Sequence, residues 1–484
     1  MRHSLWIGGT WQKGTPRPLH SPFSGEQVGE VDECNSEQLE KLLSASQDAF
    51  QSYRKLSRYM RSKLLLSISQ GIEARREALI EVMVREAGKP ATLADGEVTR
   101  SIVTFTVASE EAKRYGGEVV PLDIETSGRA YAPAIVASVP RGPVLAIAPF
   151  NFPMNLIAHK VAPALAAGCT VMVKPPPQAP GAARILAEIF EKAARESSDS
   201  QETIPPAALQ VFSCSNDLIG RAVTDPRVTT VSFTGSERVG WLIQEKAIRK
   251  KVILELGGNA AVIVHSDADL ARAATRCAFG AFAYAGQVCI SVQRIFVQSG
   301  VAARFQELLI SETAKLGVGD PARKDTMVGP LIDSKNADRV MEWIDEARAS
   351  GARVLAGGKR DKNVITPALL TGVRPDLRVS CEEVFGPVAI VESYDEFSEA
   401  LASVNHSHYG LQAGVFTNNA DFIRQAFDRL EVGAVMVNEV PTYRADNMPY
   451  GGVKDSGIGR EGVRYAMESY SEKKALVQWL GATR

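Results

Sequence analysis

The chain has 484 residues, more than one ordinary domain, and its 45% hydrophobic and 23% charged content suits several buried cores rather than a disordered polymer. Its 55 basic and 56 acidic side chains nearly cancel, which argues against a chain built chiefly to bind nucleic acid or another polyanion. The start carries no apolar core of signal-peptide length, and the most apolar stretch, Val161 to Val173, is too short to span a bilayer. Six cysteines without a CxxC pair indicate neither a disulfide framework nor a zinc site. The expectation is a cytoplasmic protein of several lobes with no membrane contact.

In chain order, Ser36 to Gly88 reads as helical, with apolar residues recurring mostly at three- and four-residue spacing, and Asp95 to Tyr115 continues in the same way. Between Val119 and Pro143, prolines, glycines and the alternating Ile135-Val136-Ala137-Ser138-Val139 predict an extended arm or hairpin. From Gly142 to Asn259 short apolar strands alternate with helical segments, which predicts a parallel sheet covered by helices on both faces. Nucleotides bind such sheets beyond the carboxyl ends of the strands. A second alternating series runs from Ala260 to Asn438. The fold class is therefore α/β, two parallel-sheet lobes in succession after a helical preface.

Three places could carry chemistry. Cys289, in Gly286-Gln287-Val288-Cys289, could be a nucleophile, because a thiolate attacks strongly when its site lowers its pKa and leaves it accessible; a buried core cysteine is the alternative. Glu255 ends the run Val252-Ile253-Leu254 and precedes Leu256-Gly257-Gly258-Asn259; it could be a general base or a strand-end charge facing water. Phe233-Thr234-Gly235-Ser236-Glu237 is a strand, a turn and a helix start, and helix starts receive phosphate through free N–H groups, although many such turns are only turn and cap.

These segments stand in an ordered series with Pro149-Phe150-Asn151-Phe152-Pro153, Lys174-Pro175, Glu383-Val384-Phe385-Gly386-Pro387 and Pro449-Tyr450-Gly451-Gly452. The series resembles the aldehyde dehydrogenase superfamily over nearly the whole chain, and the spacing of 34 from Glu255 to Cys289 matches that family. The resemblance implies a Rossmann-like cofactor domain over 1–118 and 142–254, a catalytic domain over 255–452 and an oligomerisation arm over 119–141 and 465–484. It gives Cys289 the role of nucleophile, forming a thiohemiacetal and then a thioester. The Asn151 side-chain amide and the Cys289 backbone N–H should hold the oxyanion, and Glu255 should activate the hydrolytic water. Lys174 is counted in the catalytic set and should hydrogen-bond the adenosine ribose beside Pro175. For the cofactor, Gly235 and Ser236 should meet the pyrophosphate, Glu383 the nicotinamide ribose, and Phe385 the nicotinamide; Ala148, Pro149, Phe150, Leu256 and Gly257 should line the cleft.

NAD-preferring members of the family often carry a glutamate where this chain has Pro177. Its loss removes an acceptor for the ribose 2′-hydroxyl and a repulsion against a 2′-phosphate, so the expectation leans to NADP or to use of both, although no arginine is evident beside it. Phe152 and Tyr450 should wall the substrate funnel, with Arg100, His159 and Arg444 at its mouth favouring a small polar or anionic aldehyde such as lactaldehyde or glycolaldehyde. The other reading of Arg100 and Arg444 is structural ion pairing with acids such as Glu97 or Asp446. His406 and His408 read as surface residues, and no metal is assigned. A CoA-acylating member usually lacks the base that Glu255 supplies, and a non-catalytic nucleotide-binding relative would be expected to lose the nucleophile, base or oxyanion donor. The arm implies a homodimer or homotetramer.

Overall fold

The computed structural model describes residues 1–481; residues 482–484, the end of the expected arm, lie outside the described residues. The first lobe is built on an eight-stranded sheet whose spatial order is Gly457–Ile458, Lys251–Glu255, Thr230–Thr234, Val144–Ile147, Val171–Lys174, Leu209–Val211, Leu5–Ile7, Thr10–Gln12. The five strands from Lys251–Glu255 to Leu209–Val211 run parallel, and apolar runs such as Val144-Leu145-Ala146 are buried because helices cover both faces. The outer strands are antiparallel additions.

Two of these additions were not anticipated. Leu5–Ile7 and Thr10–Gln12 form a hairpin closed by Gly8-Gly9, both at positive φ (62° and 79°), the backbone a two-residue turn between twisted strands requires. The helical preface resolves into Ser36–Tyr53, Arg58–Ala74, Arg76–Ala87 and Ala91–Arg114; the last three pack with Asn155–Ala167 in one core, whereas Leu39, Leu42 and Leu43 of the first join a separate core with Leu145 and Val231.

A seven-stranded sheet forms the second lobe, in the order Arg353–Ala356, Ala368–Thr371, Val388–Tyr394, Val292–Gln298, Ala260–Val264, Gln412–Phe416, Ala434–Val437. All neighbours are parallel except the first pair. The chain passes between the lobes through Leu256-Gly257-Gly258-Asn259, so the end of the strand bearing Glu255 leads directly into the second sheet. After residue 452 the chain returns to the first lobe, where Gly457–Ile458 pairs with Lys251–Glu255.

A third sheet is antiparallel, in the order Ser471–Leu476, Ala134–Pro140, Glu118–Val120. Its last strand begins at Ser471 rather than at 465. Val463–Ser469 is instead a helix whose Val463, Ala466 and Met467 join the first lobe's core, because those three side chains are apolar and meet Asn155–Ala167. No helix among the described residues is long and apolar enough to cross a membrane.

Candidate active site

The helix Leu270–Phe282 ends in a tight left-handed stretch, Tyr284, Ala285 and Gly286 at φ 54°, 53° and 67°, just before the loop that carries Cys289. Left-handed backbone at a non-glycine residue costs roughly 1–3 kcal/mol and persists only where surroundings enforce it. Here the Tyr284 hydroxyl donates to the Ala87 carbonyl at 3.0 Å, and a side chain at Gly286 would overlap the Gly386 carbonyl. The buried Gln287 fixes the loop further: its amide donates to the carbonyl of Pro330 at 3.2 Å and its oxygen accepts from the N–H of Ile332 at 2.9 Å. Cys289 is thus half-buried on a braced loop, its Sγ 3.1 Å from the Tyr450 hydroxyl. Burial pushes the thiol up to about 12, so the resting group is protonated.

Asn151 approaches from the first lobe. Its Nδ2 donates to the Gln287 carbonyl at 2.9 Å, and its Oδ1 accepts from the Phe152 N–H at 3.1 Å. A primary amide carries two N–H donors, so one is spent holding the nucleophile loop and one remains for an oxyanion. The Asn151 backbone carbonyl accepts from Lys89 Nζ at 2.8 Å, and Lys89 also bonds Glu97 at 2.5 Å. Glu97 in turn accepts from the N–H groups of Met154 and Asn155, at 2.8 and 2.9 Å, which start the helix Asn155–Ala167. Lys89 has no exposed surface and lies over the rings of Phe152 (3.4 Å) and Tyr284 (4.8 Å); burial lowers it to about 8. Sequence reasoning missed this lysine, since its three kinds of partner are brought together only by the fold.

Glu255 is buried with no hydrogen-bond partner on either oxygen. Burial, then the neighbouring Glu461, raises it well above the usual carboxylate range, against the pull of Arg444, Lys160 and Arg460. Glu461 behaves oppositely. Burial alone would raise it, yet Lys160 Nζ at 3.1 Å and Arg444 Nη2 at 3.0 Å take it down to about 2. The site therefore holds one buried carboxylate toward the ionised form and pushes the other toward the neutral acid.

Pro149, Phe150, Asn151, Gly235, Ser236, Leu256, Gly257, Cys289, Glu383 and Phe385 line one cleft of about 680 Å³. Several features fit it for a dinucleotide. Ser236 caps the helix Glu237–Lys246 without a side-chain bond, so no side chain occupies that helix start. A side chain at Gly257 would crowd Glu383, whose carboxyl accepts from the Gly258 N–H at 3.0 Å and is pushed up to about 7 by burial. Phe150 and Phe385 stand edge to face at 6.0 Å. Arg238, Arg339 and Trp343 share the wall and had no recognisable signal in the sequence.

Other expected residues lie elsewhere. Lys174 ends its strand and is not among the residues that line the cleft with Cys289; its charged neighbours are Arg17 and Glu33, and its backbone carbonyl accepts from Ala148 at 3.2 Å. Pro175 and Pro177 follow it outside the cleft, and an arginine does stand beside Pro177: Arg17 Nη2 donates to its carbonyl at 2.6 Å.

The funnel residues need more correction. His159 is fully buried and bonded through Nε2 to Asp446 at 2.8 Å, because its helix is buried on every side; burial and Arg444 lower it to about 4, so it is neutral and not open to the cleft. Arg100 is paired with Asp446 at 2.8 Å, as the structural alternative held, and Arg444 is paired with Glu461 rather than Asp446. Phe152 lies beneath the Lys89 ammonium, and Tyr450 contacts Cys289. His406 and His408 are both exposed, and His408 lies 3.5 Å from Glu237, with Asp455 close by.

The model of the aldehyde dehydrogenase family matches residues 11–476. The chain is 40% identical to 3-sulfolactaldehyde dehydrogenase of Priestia megaterium over 98% of both chains, and 35% identical to lactaldehyde dehydrogenase of Methanocaldococcus jannaschii over 98% of this chain and 99% of that one. Among solved structures, aldehyde dehydrogenase 21 from Physcomitrella patens, in complex with the reaction product succinate, superposes with a TM-score of 0.96 at 36% identity, covering 100% and 99% of the two chains. NADP-dependent glyceraldehyde-3-phosphate dehydrogenase from Bacillus halodurans, complexed with NADP, gives 0.94 at 33% identity over 99% and 100%.

Lys89→Met should lower both stability and turnover. It leaves Glu97 buried without its cation, a loss of about 3–5 kcal/mol in comparable pairs, and frees the carbonyl of Asn151. Adding Glu97→Gln should recover much of the melting temperature, because the amide oxygen still accepts at the helix start, while kcat stays low. Recovery of both together would reduce Lys89 to a purely structural role.

Proposed function

The chain belongs to the aldehyde dehydrogenase family, and we propose that it oxidises a small aldehyde with an anionic tail to the acid, through Cys289 and Glu255, using NAD or NADP. The aldehyde carbon meets Cys289 Sγ, and its oxygen lies between the free N–H of the Asn151 amide and the backbone N–H of Cys289. Sγ bonds to carbon while the C=O π pair moves onto oxygen and the thiol proton leaves to solvent. When bound in the cleft, the nicotinamide supplies the hydride acceptor. The acyl group then stays on Sγ as a thioester until Glu255, once deprotonated, takes a proton from water as the water oxygen bonds to the acyl carbon; the C–S bond breaks, and the proton on Glu255 passes to sulfur, restoring the thiol.

The substrate reading rests on one observation. Arg444 stacks at 3.8 Å over the ring of Tyr450, whose hydroxyl touches Cys289, and its Nε is buried without a partner. Three cations (Arg100, Lys160, Arg444) pair with two acids (Asp446, Glu461) beside the site, while His159 is neutral and Glu255 is pushed toward its neutral form. A surplus positive charge one aromatic ring from the nucleophile suits a sulfonate, carboxylate or phosphate on a short chain. The sulfolactaldehyde relative and the succinate complex of the moss enzyme support this class.

The six cysteines are all free thiols, which suits a reducing cytoplasm. The third sheet leaves Val119, Ile135, Leu476 and Trp479 more than half exposed, an apolar face with open edges that a second copy of the chain would cover.

Three outcomes are expected. Glu255→Gln should keep a burst of reduced cofactor yet slow steady-state turnover about 100-fold or more. Because burial raises the Glu255 pKa, its basic form grows as pH rises, so wild-type turnover should climb with pH and the variant should lose that limb; a lost burst would remove Glu255 from the hydrolytic step. Arg444→Leu should cut kcat/KM for succinic semialdehyde or 3-sulfolactaldehyde by the roughly 2–5 kcal/mol of a desolvated charge partner, with propanal nearly unchanged. Equal losses for both would defeat the anionic-tail reading. Sedimentation at about micromolar concentration should give a dimer or tetramer, and a monomer alone would refute the assembly.

A further inference from the structure

Lys174 stands at the carboxyl end of Val171–Lys174, where a parallel sheet receives a nucleotide. Beside it the fold brings two residues from a small sheet made by Arg2–His3, Gln27–Glu33 and Thr15–His20. The strands Thr15–His20 and Gln27–Glu33 run antiparallel, with Thr15 opposite Glu33 and Arg17 opposite Val31, so Arg17 and Glu33 are diagonal neighbours on one face. Arg17 Nε donates to Glu33 Oε1 at 2.7 Å, and Nη2 donates to the carbonyl of Pro177 at 2.6 Å. Glu33 is held from the other side by its bridge to Ser213, just past the strand Leu209–Val211. Both side chains are about one-third exposed (35% and 30%), and both act on Lys174 electrostatically.

We infer that Arg17 and Glu33 together read the 2′ position of the adenosine ribose, Arg17 binding the 2′-phosphate of NADP and Glu33 accepting from the 2′-hydroxyl of NAD. This deepens the dinucleotide reading above and rests on it. A guanidinium has five N–H donors, and Arg17 spends one on Glu33 and one on Pro177, with a third reaching the Pro18 carbonyl only at 3.5 Å. At least two donors are thus available to a phosphate. A half-exposed ion pair is held weakly, so a dianion can displace Glu33 from Arg17 at little cost. Pro177 has no side-chain charge to oppose that dianion, and its carbonyl orients the guanidinium instead. The arrangement accepts both cofactors and favours NADP. The sequence concealed it, because 160 residues separate Arg17 from Pro177.

The experiment is calorimetric binding of 2′,5′-ADP and 5′-AMP to the full chain, which needs no turnover. Wild-type protein should bind 2′,5′-ADP at least about tenfold tighter than 5′-AMP. Arg17→Gln should weaken 2′,5′-ADP about tenfold or more and 5′-AMP less than about twofold, while Arg17→Lys keeps part of the preference and guards against a folding defect. Glu33→Gln should weaken 5′-AMP without weakening 2′,5′-ADP. Equal loss of both probes in Arg17→Gln, or a preference that survives it, would overturn the inference. Failure of either probe to bind wild-type protein would overturn the dinucleotide reading beneath it, a result distinct from either of those.

Discussion

A lysine with no access to water is costly unless its charge and its three donors find partners, and the interior of this chain is organised around such a residue. Lys89 ties Glu97 to the carbonyl of Asn151, and Glu97 passes the restraint to the start of Asn155–Ala167. The rings of Phe152 and Tyr284 complete the cage. Four features depend on it: the direction of the Asn151 amide, the beginning of a buried helix, the Phe152 wall and the left-handed stretch ahead of Cys289. If the ammonium shifted, both the Asn151 amide and the loop carrying Cys289 would move, since the Asn151 amide is also bonded to Gln287.

The same economy separates two neighbouring carboxyl groups. Glu255 and Glu461 are both buried, and burial drives both toward the neutral acid. Lys160 and Arg444 bond directly to Glu461 and leave Glu255 with none of their donors, so the first is held ionised and the second is pushed toward the neutral acid. Divergent pKa values in one cluster mark a division of labour. Glu461 holds cations in place, and Glu255, the unpartnered member, is free to exchange a proton.

Much of this was legible in the chain. Apolar runs bounded by turns gave the parallel strands of both lobes, because each depends only on neighbouring residues and burial on two faces. The ordered motifs brought Cys289, Asn151, Gly235, Ser236, Glu383 and Phe385 to one cleft, where the structure also finds them. The errors share a cause. Gly8-Gly9 carried a usable hairpin signal that the short flanking strands, three residues each, made easy to overlook. His159 looked like a polar residue at a mouth, but its helix is buried all round and its partner Asp446 is 287 residues away. Lys89, Arg17 and the Arg444–Glu461 pair are likewise defined by long-range partners that no local pattern encodes.

Neither lobe contains a complete site. Glu255 ends a strand of the first sheet and Asn151 lies in the loop after another, while Cys289 and Glu383 belong to loops of the second. Their registration must come from bonds that cross between lobes. Asn151 to Gln287, Gly258 to Glu383 and Tyr284 to Ala87 are such bonds. At Gly258 the backbones approach closely as well, since a side chain there would overlap the carbonyl of Cys289. The glycines between Glu255 and the second sheet therefore do more than turn the chain. They let the base-bearing strand and the nucleophile loop approach within backbone contact, and so convert two independently folded sheets into a single reactive centre.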